Sequence, residues 1–345
     1  MMWEKEKSVL GNLKMISTDF LAGQGLGNQL WVYAACRGIA TNLQLPYMIG
    51  GLEHFKGKNF LEIDAGSSDV KVAHNKTASD SSNKKLQERL FYDPGLKYFA
   101  SDYDSRVERL EANTHLEGLF QSERYFYGLE SELGQWIRLS KEMQEKSLQY
   151  ADICVVNIRG GEYKRHKNLI LPKCYWTSAI RNMREHKGVD KFLIVTDDRA
   201  YARKLLPDYP ILEGGIAECF AALYGAGCLI VSNSSFSYFP IKMRLDKPHV
   251  IAPYLWSRPS NFLLRWAAPA NFYKDWHWQD VVGNIHSYED CKTLVDRTME
   301  TYSMHYSVSI PPEYIRQRAL INVIPKGMKR SLKRILSKLF PLHIG

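Results

Sequence analysis

The stretch GQGLGNQLWVYAACRGIA, residues 23–40, decides the fold of this 345-residue chain. Three glycines within five positions precede an Asn–Gln pair, and a helical run follows from Asn28 to about Leu43. Upstream, KMISTDFLAG reads as a strand; downstream, LQLPYMIG reads as another. Strand, glycine turn, helix and strand make one βαβ unit.

The same alternation returns, more clearly, after residue 150. DICVVNIR, KFLIVT, CLIVSN and PHVIAP read as strands. Between them, helices are expected from Pro172 to about Glu185, over DDRAYARKLL and over IAECFAALYGAG, with a further helix starting in SSFSYFPIKM. Short continuous apolar strands alternating with helices indicate a parallel sheet covered on both faces. The expected organisation is an α/β chain with a first Rossmann-like domain over 1–150, a second over 151–305 and a basic tail over 306–345. Residues 65–85, polar, small and aperiodic, read as a loop inserted in the first domain, and a helix is expected from about Glu130 to Gln149.

Length and composition agree with two domains, since a single core seldom grows past about 250 residues. The longest apolar runs fall far short of the roughly 20 residues that span a bilayer, and the amino terminus shows no secretory pattern. The six cysteines form no CxxC pair and the ten histidines no HExxH. These features lead us to expect a cytoplasmic protein without a zinc site. A second metal motif, DYD at 102–104, reads as an exposed acidic loop because it falls in a polar connection.

The net charge of +9 is concentrated at one end. From Tyr314 onward there are eight basic residues and no acidic one, so the remaining 38 Lys and Arg stand against all 37 Asp and Glu. Within the tail, Met328, Leu332, Ile335, Leu336 and Leu339 share one helical face opposite Lys and Arg. A basic amphipathic helix of this kind suits an anionic membrane surface, here through 326–340, or packs on the body with its basic face in water. Nucleic acid is not an expected partner, because the neutral body offers no second basic surface.

Ligands of parallel α/β sheets bind beyond the carboxyl ends of the strands, which directs attention to three segments. In NIRGGEY (157–163), Arg159 could grip phosphate oxygens bidentately, or pair with Glu162 at a glycine turn. In VSNSSFS (231–237), Ser234 or Ser235 would cap the next helix, whose free N–H groups also form an anion site. In VTDDRA (195–200), Asp197 and Asp198 could accept hydrogen bonds from a ribose or base, or cap a helix.

Five segments, in order, resemble the inverting α-1,2-fucosyltransferases of glycosyltransferase family eleven. GLGNQLWVYAACRGIA is similar to their GGLGNQMFQYAFGRALA, LEGLFQSERYF to GYWQSEKYF and NIRGGEY to HIRRGDY. FLIVTDDRAYARKLL resembles their FSDD strand and helix, and AECFAALYGAGCLIVSNSSFSYF a helix followed by NSTFSWW. The resemblance implies a GT-B-type α/β fold with two Rossmann-like domains facing across a cleft. It implies GDP-fucose as donor, a galactoside hydroxyl as acceptor, and no metal or other cofactor; the basic tail adds the expectation of a peripheral enzyme at the inner face of a bacterial plasma membrane, where lipid-linked oligosaccharides of a surface glycan are assembled.

By position, the resemblance puts donor binding on Gly25, Gly27, Gln29, Asn157, Arg159, Asp197, Asp198, Asn233, Ser234, Ser235 and Phe236, and catalysis on Asn28, Arg159 and Glu162. Arg159 would hold the diphosphate, and Glu162 would serve as general base or orient the acceptor. Asn157, Gly160 and Glu162 stand where the family has His, Arg and Asp. The motifs recognise nucleotide and phosphate better than linkage, which leaves another linkage or another GDP-sugar open, and the missing His and second Arg leave open a sugar- or nucleotide-binding protein without catalysis.

Overall fold

The computed structural model describes residues 15–66, 84–88, 90–93, 98–101, 103–110, 113–165, 169–254, 272–293 and 296. Asp102, most of the 65–85 loop and the amphipathic tail lie outside these residues.

The opening βαβ unit forms as its sequence implies. Strand β1 (Ile16–Asp19) leads through the glycine turn into helix α1 (Leu26–Asn42), and β2 (Tyr47–Gly50) returns parallel to β1. Two further strands, β3 (Lys84–Gln87) and β4 (Thr114–Glu117), complete an all-parallel sheet in the spatial order β2–β1–β4–β3. Helix α1 is buried on nearly every side, as its apolar composition requires. Its Gly38 admits the neighbouring turn: a Cβ there would lie 2.5 Å from Cβ of Phe126.

The helix expected from Glu130 to Gln149 is replaced by shorter pieces. Ile137–Leu139 is drawn out as a strand, antiparallel to Leu61–Ile63, and Ser140 restarts the chain as the cap of α2 (Lys141–Ser147). Pairing of this strand outweighs local helix preference.

The second half carries β5 (Cys154–Ile158), α3 (Lys173–Lys187), β6 (Phe192–Thr196), α4 (Arg199–Leu205) and α5 (Ile216–Gly225). It continues through β7 (Cys228–Val231), α6 (Tyr238–Lys242), β8 (His249–Pro253), β9 (His277–Gln279) and β10 (Ile285–His286). Spatial order is β6–β5–β7–β8–β9–β10, parallel except for the last pair. The strands of β5 and β7 are buried almost throughout, as a sheet covered on both faces demands. The molecule is an α/β chain of two units, each built on a mainly parallel sheet.

The two units are not insulated from each other. One apolar cluster runs through both, and aromatic pairs bridge the seam: Trp31 of α1 lies 4.2 Å from Tyr238 of α6, and Phe60 lies 5.7 Å from Phe220 of α5. Tyr238 also donates from its hydroxyl to Glu123 Oε1 at 2.8 Å, and Lys242 pairs with the same oxygen at 2.9 Å.

Candidate functional site

Each sheet has one place where successive connections leave in opposite directions, and such a place opens a crevice at the strands' carboxyl ends. In the first sheet the chain passes from β1 to β2 on one side and later fills the other side with β4 and β3. Its crevice lies between the loops that follow β1 and β4. In the second sheet β6 and β7 flank β5, which puts the crevice between the loops that follow β5 and β7. Residues 20–25, 118–121, 159–161 and 232–237 are these four loops.

Two of the loops meet at Asn28, in the first turn of α1. Its Oδ1 accepts from Gln121 Nε2 at 2.8 Å and from Ser235 Oγ at 2.7 Å. Gly27 makes the approach possible: a Cβ there would sit 2.5 Å from the carbonyl carbon of Ser235 and 2.6 Å from the Phe236 nitrogen. The first unit's crevice is thereby tied directly to the second's. The amide NH2 of Asn28 has no hydrogen-bond partner among the described residues.

Gln29 has a different task from its neighbour. It is fully buried, donating to the His54 carbonyl at 2.8 Å and accepting from the Lys56 N–H at 3.0 Å. Both ends of the carboxamide hold the 54–56 turn, so the structure puts Gln29 behind the site and not in it. Gly25 lies in extended backbone with open space where a Cβ would be.

On the second unit, Arg159 follows β5 directly. Its Nη1 is 2.8 Å from Asp197 Oδ2, Nη2 is 3.7 Å from Glu162 Oε1, and the guanidinium lies over the Tyr163 ring, 5.1 Å from its centroid. Nε is buried and has no hydrogen-bond partner among the described residues. Tyr163 in turn donates to the Asn233 carbonyl at 3.1 Å, which links Arg159 to the turn after β7. Burial pushes the Tyr163 hydroxyl above its usual range, more than Arg159 lowers it. Glu162 is largely exposed, its side chain 72% accessible.

The two aspartates divide their work. Asp197 accepts from the Gly160 N–H at 2.9 Å while pairing with Arg159. Asp198 caps α4 by accepting from the Tyr201 N–H at 3.0 Å and pairs with Lys164; these bonds, the lysine's first, hold its carboxyl below the ordinary range. Gly160, where the resembled family has a second arginine, is hemmed in: a Cβ would lie 2.6 Å from the Tyr201 ring.

The serines do not cap a helix at 234 or 235. Helix α6 begins at Tyr238 and is five residues long, with no side-chain cap at Ser237. Ser234 Oγ instead accepts from the Phe236 N–H at 3.3 Å and forms a turn, and Ser235 turns toward Asn28. A helix-terminus anion site is therefore absent here, but the Ser234 hydroxyl keeps its own proton to donate. Asn157 is buried on β5 and accepts from Ser232 Oγ at 3.3 Å; Asn233 donates to the Leu169 carbonyl at 3.2 Å. Phe236 is half-buried, its ring edge-on to Phe220 at 6.0 Å.

Asp104 is buried rather than exposed. It caps the turn Ser105–Arg109 and takes a bidentate grip from Arg106, whose Nε lies 2.9 Å from its Oδ1. The Arg106 backbone N–H and guanidinium satisfy the carboxylate that burial takes out of water. Among the described residues no cluster of three or more His, Cys, Asp or Glu could hold a metal ion.

A cavity of about 710 Å³ lies elsewhere on the seam, lined by Ser122, Arg124, Lys242, Lys247, Asp275 and Trp276 among others. None of the residues singled out by sequence lines it. Gln121 and Tyr163 sit inside segments whose pattern pointed to the site, QSERYF and NIRGGEY, yet nothing in those patterns distinguishes them from their neighbours.

The chain matches no protein-family model and no curated protein. Among solved structures it is similar to POFUT1 in complex with GDP-fucose, at 10% identity over 69% of this chain and 96% of that chain, with a TM-score of 0.40. NodZ alpha-1,6-fucosyltransferase soaked with GDP-fucose matches at 13% identity over 72% of this chain and 97% of that chain, TM-score 0.39. Fucosyltransferase NodZ from Bradyrhizobium matches at 13% over 69% and 94%, TM-score 0.38.

Proposed function

We propose that this chain is an inverting glycosyltransferase that moves L-fucose from GDP-fucose to a galactoside hydroxyl, forming an α-1,2 linkage. The observation that carries the reading is the convergence of two strand-end crevices on Asn28, with the Arg159 guanidinium on the facing unit and joined to the same turn through Tyr163. An enzyme that must hold a nucleotide diphosphate on one unit and a sugar acceptor on the other needs this opposition.

In this reading Arg159, oriented by Asp197, neutralises the diphosphate as negative charge develops on the leaving group. Its unpartnered Nε–H is a donor in want of an acceptor, which a phosphate oxygen supplies. Ser234 donates from its hydroxyl, and Asn28 presents its amide NH2 to the sugar. Glu162, at 3.7 Å from the guanidinium and open to solvent, takes the acceptor proton. GDP leaves with the bonding pair, and the acceptor oxygen attacks the anomeric carbon from the opposite face.

The acceptor in this proposal belongs to a bacterial surface glycan built on a lipid carrier, and the basic tail brings the enzyme to the inner leaflet. Deleting residues 326–345 should abolish partition onto anionic vesicles; unchanged partition rejects the membrane role.

Transfer of radiolabel from GDP-fucose to a β-galactoside panel, followed by linkage analysis, tests the activity. An α-1,2-fucosylated product is expected. Another linkage, or use of another GDP-sugar, would revise donor or acceptor, and tight GDP binding without any transfer would favour a binding protein.

A further inference from the structure

Glu88, immediately after β3, is 3% exposed. By strand alternation it shares the core-facing side of the first sheet with Leu86 and Leu116, both buried. One carboxyl oxygen accepts from the Leu119 N–H at 2.6 Å; the other, Oε1, is buried and has no partner among the described residues. Gly118 closes over it, since a Cβ there would lie 2.6 Å from Oε2. Phe120, fully buried, holds a φ of +47°, a left-handed conformation that a phenylalanine adopts only under constraint. The next residue is Gln121, which reaches across to Asn28.

We propose that Glu88 is a positioning residue for the cleft: its neutral carboxyl packs segment 118–121 so that Gln121 meets Asn28, and its ionised form releases that segment and loosens the bridge between the units. Burial raises the carboxyl to about 7, more than the Leu119 and Phe120 N–H groups lower it, and the Asp104 carboxylate adds to the rise. Among the described residues no cation offsets this. Arg106 grips Asp104, and Arg37, the one charged residue of α1, is bonded to Tyr33. Arg124 lies over Tyr103, Glu123 faces Lys242 and Tyr238, and Lys85 with Glu117 forms a pair on the opposite face of the sheet. His115 shares that opposite face and bonds Ser17. Once ionised, Oε1 carries charge with no donor, and the relief open to it is movement toward water at the cleft, which displaces the residues bonded to it.

The experiment uses the full chain with Glu88→Gln, which keeps the acceptor for Leu119 but cannot ionise, and adds Asn28→Ala in both backgrounds. Thermal unfolding is followed from pH 5 to pH 8. Folded Glu88 titrates above its unfolded range, so its burial weakens the fold as pH rises from about 4.5 to about 7. E88Q is expected to gain about 4 °C more over wild type at pH 8 than at pH 5. Asn28→Ala should cost less at pH 8 than at pH 6 in wild type, and equally at both in E88Q. A pH dependence unchanged by E88Q, or an Asn28→Ala cost that ignores pH in wild type, overturns the proposal. Should E88Q fail to fold, carbon-13 carboxyl titration of glutamate-labelled wild-type protein decides: a resonance titrating near neutrality supports it, and none above pH 6 refutes it. Every readout is independent of sugar transfer, so a chain that transfers no fucose would still report on Glu88.

Discussion

Asn28 and Ser235 are 207 residues apart in sequence and 2.7 Å apart in the fold. One carboxamide oxygen, shared with Gln121, thus adds a polar join to a seam that also holds aromatic pairs and the bonds of Tyr238 and Lys242 to Glu123. A double-mutant cycle of Asn28→Ala and Ser235→Ala should return a coupling energy of about 1 kcal/mol by chemical denaturation. Strict additivity would mean the contact is not formed in solution.

Gly25 and Gly27, two positions apart, should respond oppositely to alanine. At Gly27 the added carbon meets backbone atoms of Ser235 and Phe236, which cannot rotate away, so Gly27→Ala should cost about 1–3 kcal/mol and most of the activity. At Gly25 nothing lies within 4 Å and the backbone is already extended, so Gly25→Ala should stay within about 0.5 kcal/mol of wild type. Thermal unfolding of the pair separates close approach from mere flexibility in this loop.

Arg159→Lys keeps the charge and loses the fork. A single ammonium cannot face Asp197, Glu162 and a diphosphate together, so GDP affinity should fall about tenfold by calorimetry, on the order of 1.4 kcal/mol. Glu162→Gln should leave GDP affinity intact and lower turnover by about a hundredfold or more. Near wild-type turnover in that variant would remove Glu162 as the base.

His249 at the start of β8 has its ring 4.2 Å from that of His277. Burial, then His277, Lys187 and His186, lower it to about 4 from the ordinary 6.5. The unfolded chain therefore takes up the proton first, and stability is lost as pH falls from about 6.5 toward 4. His249→Asn should lessen the drop in melting temperature between pH 6.5 and pH 4.5; an identical drop would mean that His249 is not held neutral.

Much of the architecture is legible in the sequence, because apolar strand runs and glycine turns are local signals. Pro172 before α3 and Asp198 before α4 mark helix starts at the residues where they occur. The failures have physical causes. The expected Glu130–Gln149 helix depends on a strand partner, Leu61–Ile63, some seventy positions away in sequence, which no window around residue 137 contains. At the site, sequence assigns Asn28 to catalysis and Gln29 to donor binding, so it sends both amides to the ligand. Only packing shows that one amide faces the cleft and the other braces a turn. Glu88 carries no sequence signal, since its isolation comes from Gly118, Phe120 and Asp104 closing around it.

The ring of Trp31 rests against Tyr238 across the seam, and this bears on synthesis. The amino-terminal unit emerges first, with that indole face uncovered until its cover is translated. At about 5–20 residues per second the wait is on the order of ten to forty seconds. For that interval a nascent chain exposes a wide aromatic surface to its surroundings. Fragments ending near residue 150 should accordingly bind hydrophobic chaperones or self-associate more readily than the entire polypeptide.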